Sequence, residues 1–251
     1  MQATTDLYKS ILADPRHLKE HRAFIAGVEY SGADIVIKAE TPQTLIEQPP
    51  LVTGGLYPKG TPTVGGCVAR QLDIMVRPKG TIPRMAEIRL ETRIVLRDPL
   101  TGTNTAESEW LPKGTFYIDT RPPIRSLGLL RLHCYDAMLK SEEPYLQEGD
   151  AGEWPRPMPD VVADIASRMG VPVDPRTVIN PAYTVGYPND LTMREILGYI
   201  AAAHAGNFVI TDAGALRLVP LYNPAVDHGP GGYLVTEDGH PITFGGVRII
   251  V

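Results

Sequence analysis

Residues 110–146, WLPKGTFYIDTRPPIRSLGLLRLHCYDAMLKSEEPYL, decide the fold class of this chain. Two strands are legible there from alternation with a period of two. Phe116 and Ile118 oppose Tyr117 and Asp119; further on, Leu130, Leu132 and Cys134 oppose Arg131, His133 and Tyr135. Each strand has one apolar face, as an antiparallel sheet packed on one side requires. Asp136 then has the short acceptor side chain of a helix N-cap, and AMLKSEE supplies helix formers until Pro144 stops them. β structure leads into this stretch, and an α/β module hangs on it.

Toward the N-terminus, Met85 to Arg97 is the clearest strand: Ala86, Ile88, Leu90, Thr92, Ile94 and Leu96 alternate with Glu87, Arg89, Glu91, Arg93, Val95 and Arg97. Asp98 to Thr105, DPLTGTNT, is turn chemistry joining it to Trp110. Upstream, VGGCVARQLDIMV places Leu72, Ile74 and Val76 on one strand face. Phe24–Tyr30 and Ile35–Glu40 read as a hairpin about Ser31, Gly32 and Ala33, and Thr5–Ala13 as a short helix with Leu7 and Ile11 on one side. Between them and the VGGC strand, Thr41 to Gly66 has five prolines and five glycines. A connection of that length is usually functional or braced by a partner.

Toward the C-terminus, EGDAGEWPRPMP (Glu148–Pro159) is linker-like. Asp160 caps a helix that carries Val162, Ile165 and Met169 on one face and stops at Gly170. Thr192 and Glu195 form a capping box for a second helix with Ile196, Leu197 and Ile200 as its buried stripe. Phe208–Thr211 and Ala215–Val219 make a hairpin about Asp212, Ala213 and Gly214, and Tyr233–Thr236 and Val247–Val251 are the last strands. A chain stopping in GGVRIIV either ends in a paired strand or has been cut short there.

Composition bounds the classes. In 251 residues, 43% hydrophobic and 21% charged, there is room for one domain plus an insert. The 24 glycines and 24 prolines, about a fifth of the chain against roughly 12% in average usage, imply many turns. Net charge is −5 and no run of five Lys or Arg occurs, which speaks against sequence-specific DNA binding. No apolar run reaches the roughly 20 residues of a membrane span. The start, MQATTDLYKS, lacks a basic and then apolar leader, so the product is expected to stay in the cytoplasm where it is made. Cys67 and Cys134 read as buried thiols, not as a disulfide or a metal site.

Catalytic patterns are thin. His17-Leu18-Lys19-Glu20-His21 matches the inverted zincin H-x-x-E-H, in which two histidines one helical turn apart bind zinc. Its setting, RHLKEHR between a proline and a strand, is instead that of a solvated charged segment. The carboxylate pairs Glu107/Glu109, Glu142/Glu143 and Asp160/Asp164 are too close in sequence to flank a glycosidic cleft. There is no G-x-S-x-G elbow and no P-loop, and the paired glycines read as turns or bulges. Trp110, Phe116, Tyr117 and Tyr135 are assigned to core or subunit interface, with a carbohydrate platform as the competing use. No cofactor, metal or catalytic residue is expected.

The ordered series TVGGCVARQLDIMV, IPRMAEIRLETRI, EWLPKGTFYIDTR, LLRLHCYDAMLKSEEPY and LTMREILGYIAAAHAGNFVITDAGALRLV resembles the tail-hub proteins of tailed bacteriophages and prophages, from about Phe24 to Leu221. The resemblance implies a mainly β fold with an α+β insert: a tail-tube-like barrel or sandwich interrupted by a small α/β module, and a partial second barrel at the C-terminus. The divisions it implies are an N-terminal arm over 1–23, the barrel over 24–135, the insert over 136–219 and the C-terminal strands over 220–251. The implied role is structural, at the virion tail tip, closing the distal end of the tail tube during assembly and DNA delivery. The implied partners are the chain itself, as a homotrimer or a hexamer, then the distal tail ring, tape measure and tip or fibre proteins, with DNA passing through the lumen unbound. Candidate interface residues are Leu51, Leu56, Tyr57, Lys59, Trp110 and Tyr117. Competing readings are a distal tail ring protein, a metal-dependent hydrolase using His17, Glu20 and His21, and a carbohydrate-binding module centred on Trp110.

Overall fold

A computed structural model describes residues 4–41, 44–47, 49–56, 63–146, 153–221, 243–244 and 247–248. Helix α1 (Asp6–Ala13) leads into β1 (Leu18–Ile25) and β2 (Val28–Ser31). The chain continues through β3 (Lys38–Thr41), β4 (Thr44–Glu47), β5 (Leu51–Thr53), β6 (Cys67–Val68), β7 (Gln71–Val76), β8 (Glu87–Arg97), β9 (Asn104–Glu107), β10 (Leu111–Thr120), β11 (Pro123–Ile124) and β12 (Leu129–Tyr135). After a 3₁₀ helix, Ala137–Glu142, come β13 (Arg156–Pro157), α2 (Met158–Met169), β14 (Thr184–Val185), α3 (Met193–Ala203), β15 (Gly206–Ile210), β16 (Leu216–Pro220), β17 (Thr243–Phe244) and β18 (Val247–Arg248).

The large sheet runs β2-β1-β8-β10-β12-β7-β5, with β9 added to β8 and β11 to β12. All of these pairs are antiparallel. Past β2 the chain crosses to the other end of the sheet: Ile35 bridges Val76, Val36 N–H donates to Met75 O (2.8 Å) and Arg77 N–H to Asp34 O (2.8 Å). The sheet therefore wraps on itself, held at the seam by these few bonds. Its core comprises Ile25, Ile74, Ile88, Leu90, Phe116 and Leu132 with their buried neighbours, the apolar face that the alternation of β8, β10 and β12 dictates. Val95, on the outward face by alternation, is buried as well, at the part of the sheet where α1 packs on β8.

Several local expectations need correction. The first hairpin is β1 with β2 and turns at Ala26 and Gly27, whose φ values of 47° and 82° are what a two-residue hairpin turn needs. Ser31 to Asp34 is instead a one-turn 3₁₀ segment in which Asp34 Oδ2 accepts from Ser31 N–H (3.2 Å). The charged segment RHLKEHR is solvent-accessible, as expected, and from Leu18 on it forms strand β1. The connection from Thr41 to Gly66 contains β4, which forms with β3 a hairpin that pairs with no other strand among the described residues, and β5, which joins β7. Leu7 is exposed while Ile11 is buried. The helix after Asp136 is 3₁₀, although Asp136 caps it as expected, accepting from Met138 N–H (3.0 Å). Helix α2 starts at Met158 behind Pro157, with Asp160 in its first turn. The expected strand at 233–236 and the last three residues of the final one, 249–251, lie outside the described residues.

A second core gathers Met138, Tyr145, Val162, Ile165, Leu197 and Phe208 with others from the 3₁₀ helix, α2, α3 and the β16-β15-β6 sheet. The Thr192 capping box forms: Thr192 Oγ1 accepts from Glu195 N–H (3.2 Å) and Glu195 Oε2 from Thr192 N–H (2.8 Å). Strand β6 joins β15 in parallel, Cys67 beside Phe208. Asn207, fully buried, secures that junction by accepting from Gly66 N–H (2.7 Å) and donating to Thr63 O (2.7 Å). Gly65 crosses α3 at Gly198, where a Cβ would stand 3.0 Å from Gly65 O. Gly65 thus serves close backbone approach.

Candidate assembly surface

Strand β1 pairs with β8 along its whole length but with β2 only from Arg22 to Ile25. Leu18 to His21 therefore keep one edge without a ladder partner among the described residues. That edge borders a cleft of about 490 Å³ lined across from it by Ser31, Gly32, Ile35 and Ile37. An open strand edge beside a cleft is a template for pairing with a further extended segment.

The outward face of the same strands carries an ion network. Glu20 accepts from Arg93 Nε (2.9 Å), from Arg97 Nη2 (2.7 Å) and from Asn104 Nδ2 (3.1 Å), and Arg93 also binds Glu107. Two guanidiniums lie against the Trp110 ring, with Arg22 Cζ 4.5 Å and Arg93 Cζ 4.7 Å from its centroid. Arg22 is in turn held by Glu91. Planar guanidinium stacks on an indole face through cation–π attraction, so this face presents fixed charges on a rigid sheet. On the inward side His21 Nδ1 lies 3.0 Å from Thr92 Oγ1. Burial, then the charges of Lys19 and Lys113, pull its pKa down from the ordinary histidine value.

The two cores meet at Arg70. Its backbone N–H donates to Asp136 Oδ2 (3.0 Å) and its carbonyl accepts from Asp136 N–H (3.0 Å). Its side chain reaches Asp212 and Thr211 O (3.3 Å) across the module and lies 5.7 Å over Phe116 in the large sheet. Arg70 Nε is 3.5 Å from Asp136 Oδ2, an ion-pair distance without hydrogen-bond geometry. The Asp136 carboxyl is fully buried, and burial outweighs these donors, pushing its pKa up to about 6. Gly54 and Gly114 leave room for the arginine: a Cβ at either would stand within 2.8 Å of its side chain.

The sequence candidates fall in different places. Leu51 is exposed on β5, at the end of the large sheet, and Leu56 is partly buried; Tyr57 and Lys59 lie outside the described residues. Trp110 lies against Arg22 and Arg93, and Tyr117 packs against the second core beneath Lys140 Nζ, 4.1 Å from its ring. His17 and His21 bracket the start of a strand, not a helix. Four residues of strand span about 13 Å, too far for both histidines to reach one zinc ion at roughly 2 Å. Among the described residues no three His, Cys, Asp or Glu side chains gather as a cation site. Both thiols are buried, and burial raises each pKa to about 12. Arg70, Arg22 and Arg93 were not legible as site residues: each is a single arginine whose partners lie far away in sequence.

Comparison with known proteins gives a fold likeness. No protein-family model matches the chain, and no curated protein matches its sequence. Among solved structures, the 43 kDa tail protein of prophage MuSo2 from Shewanella oneidensis superposes with a TM-score of 0.51 at 11% identity, over 82% of this chain and 56% of that one. A tail protein from Neisseria meningitidis MC58 gives a TM-score of 0.49 at 12% identity, over 80% of this chain and 51% of that one. The chain thus spans about half the length of each of these two proteins, and with the first it shares the fold.

Proposed function

We propose that the chain is a structural, non-enzymatic component of a phage or prophage tail, acting at the tail tip as part of the baseplate hub. The fold likeness to the MuSo2 tail protein carries this reading. In it, residues 24–135 form the tube-like barrel, 136–219 the insert, with the early strand β6 contributed to its sheet, and 220–251 begin a second barrel. The chain closes the distal end of the tail tube as a homotrimer and connects it to the distal ring, the tape measure and the tip or fibre proteins. The unpaired edge of β1 and the Trp110 face are the surfaces assigned to subunit contact, since a ring closes through one repeated heterologous interface. Net charge of −5 suits a lumen that lets DNA pass without holding it, because phosphate affinity comes from Lys and Arg.

Mass measurement of the native assembly tests the reading. Three copies support the hub and six the distal ring. A stable monomer at micromolar concentration with no affinity for tail proteins sinks it.

A further inference from the structure

A second groove, of about 490 Å³, opens between the large sheet and the module where Pro112 of β10 faces the β15–β16 hairpin. Three guanidiniums line it, those of Arg70, Arg176 and Arg217, together with Asp212. Two of the three are committed. Arg70 binds Asp212 and adjoins Asp136; Arg176 grips Asp174 in a fork, Nε to Oδ1 at 2.8 Å and Nη2 to Oδ2 at 2.6 Å. Arg217 is different. It projects from β16 opposite Val209, is partly buried, and has no hydrogen-bond or ion-pair partner among the described residues, and its Nε is fully shielded from solvent. Leaving a shielded guanidinium donor unsatisfied is costly, and such groups in folded proteins are normally met by an acceptor.

We propose that this groove is a binding site for one carboxylate group, received by the Arg217 guanidinium. The local charges select that chemistry. Asp212 stands in the groove, Asp174 is gripped by Arg176 and its pKa is also pulled down by the Arg217 charge, and Asp136 adjoins Arg70, so three carboxylates already balance three guanidiniums. A polyphosphate backbone, which binds through accumulated positive charge, finds no net field to follow. One planar carboxylate matches the one guanidinium without a hydrogen-bond partner, where two parallel N–H to O bonds form. Nothing in the site depends on the chain being a tail protein.

The test follows arginine Nε–H signals of the full chain, ¹⁵N-labelled, during separate titrations with acetate, inorganic phosphate and sodium chloride. Arg217→Lys removes one signal and so assigns it. That signal is expected to move saturably with acetate, more weakly with phosphate, and not with chloride at equal ionic strength. In Arg217→Lys, acetate affinity read from the Arg176 signal falls about tenfold, the worth of one charge-assisted bond. Val209→Asp, on β15 directly opposite Arg217, supplies the carboxylate within the chain and should abolish the acetate response. No saturable movement in the native protein, tighter binding of phosphate than acetate, or an undiminished response in a folded Val209→Asp overturns the assignment. Sedimentation then identifies the source. Self-association competed away by acetate assigns the carboxylate to a second copy of the chain; self-association indifferent to acetate assigns it to a small acid in solution.

Discussion

The wrapped sheet and the α/β module are held together by different means. In the sheet, long strands such as the eleven-residue β8 are paired on both sides and bury aliphatic and aromatic side chains, while the ion network of Glu20 and Arg93 stays on the outward face. In the module, short helices are defined by their ends, and polar groups reach into the interior. Tyr145, almost wholly buried, donates to Asp164 (2.7 Å) and accepts from Arg156 (2.9 Å), and Asn207 and Asp136 are fully buried with their partners in place. A sheet whose backbone groups satisfy one another tolerates substitution of its surface charges. A packed cluster of helices and short strands that depends on single buried polar residues does not.

The two tryptophans separate the regions experimentally: Trp110 reports the sheet and Trp154, packed against the second core, the module. Asp136→Ala should have the largest effect, lowering stability by about 3–5 kcal/mol in urea denaturation, because it strands Arg70 and the Met138 N–H. The Trp154 transition should then precede that of Trp110; coincident transitions would make sheet and module one cooperative unit and erase the contrast. The same residue sets a pH dependence. Its folded pKa of about 6 lies above the 3.8 of an ordinary aspartate, so the folded state holds the extra proton and this contribution to stability declines as pH rises from about 4 through 6. Asp174 moves oppositely: Arg176 holds its carboxyl down to about 2, and its contribution is lost as pH falls below about 4. Asp136→Asn should flatten only the upper window of a melting-temperature profile.

Core truncations come next. Leu132→Ala in the sheet and Leu197→Ala in the module should each cost about 2–5 kcal/mol and shift first the fluorescence transition of their own region. Thr192→Ala removes the cap of α3 and should cost about 1 kcal/mol, seen as faster hydrogen exchange in α3 with β8 unchanged. Glu107→Gln, in the outer network of the sheet, should change stability by less than about 1 kcal/mol, and that little should vanish at high salt. A larger loss there would mean that the sheet, too, leans on specific polar contacts.

Much of this was legible because its cause is local. The Thr192–Glu195 box, the Asp212–Gly214 turn and the alternation of β8 and β12 each act within a few residues, and each forms where the sequence placed it. Strand β1 was obscured because its inward positions include Lys19 and His21, which break the apolar alternation at the cleft end. Strand β6 and the reach of Arg70 were beyond sequence reading for another reason. Their partners, Phe208 and Asp212, lie about 140 positions away, and nothing in a two-residue strand or a lone arginine specifies so distant a neighbour.

That distance sets a clock for the ribosome. Strand β6 leaves the exit tunnel long before β15, and at about 5–20 residues per second the 141 positions from Gly66 to Asn207 take roughly 7 to 28 seconds to synthesise. Throughout that interval the strands of the large sheet can collapse, but Cys67 and Val68 wait with their parallel neighbour unmade. The module cannot be excised as one contiguous piece of chain, nor can it finish folding before the last of its hairpin emerges.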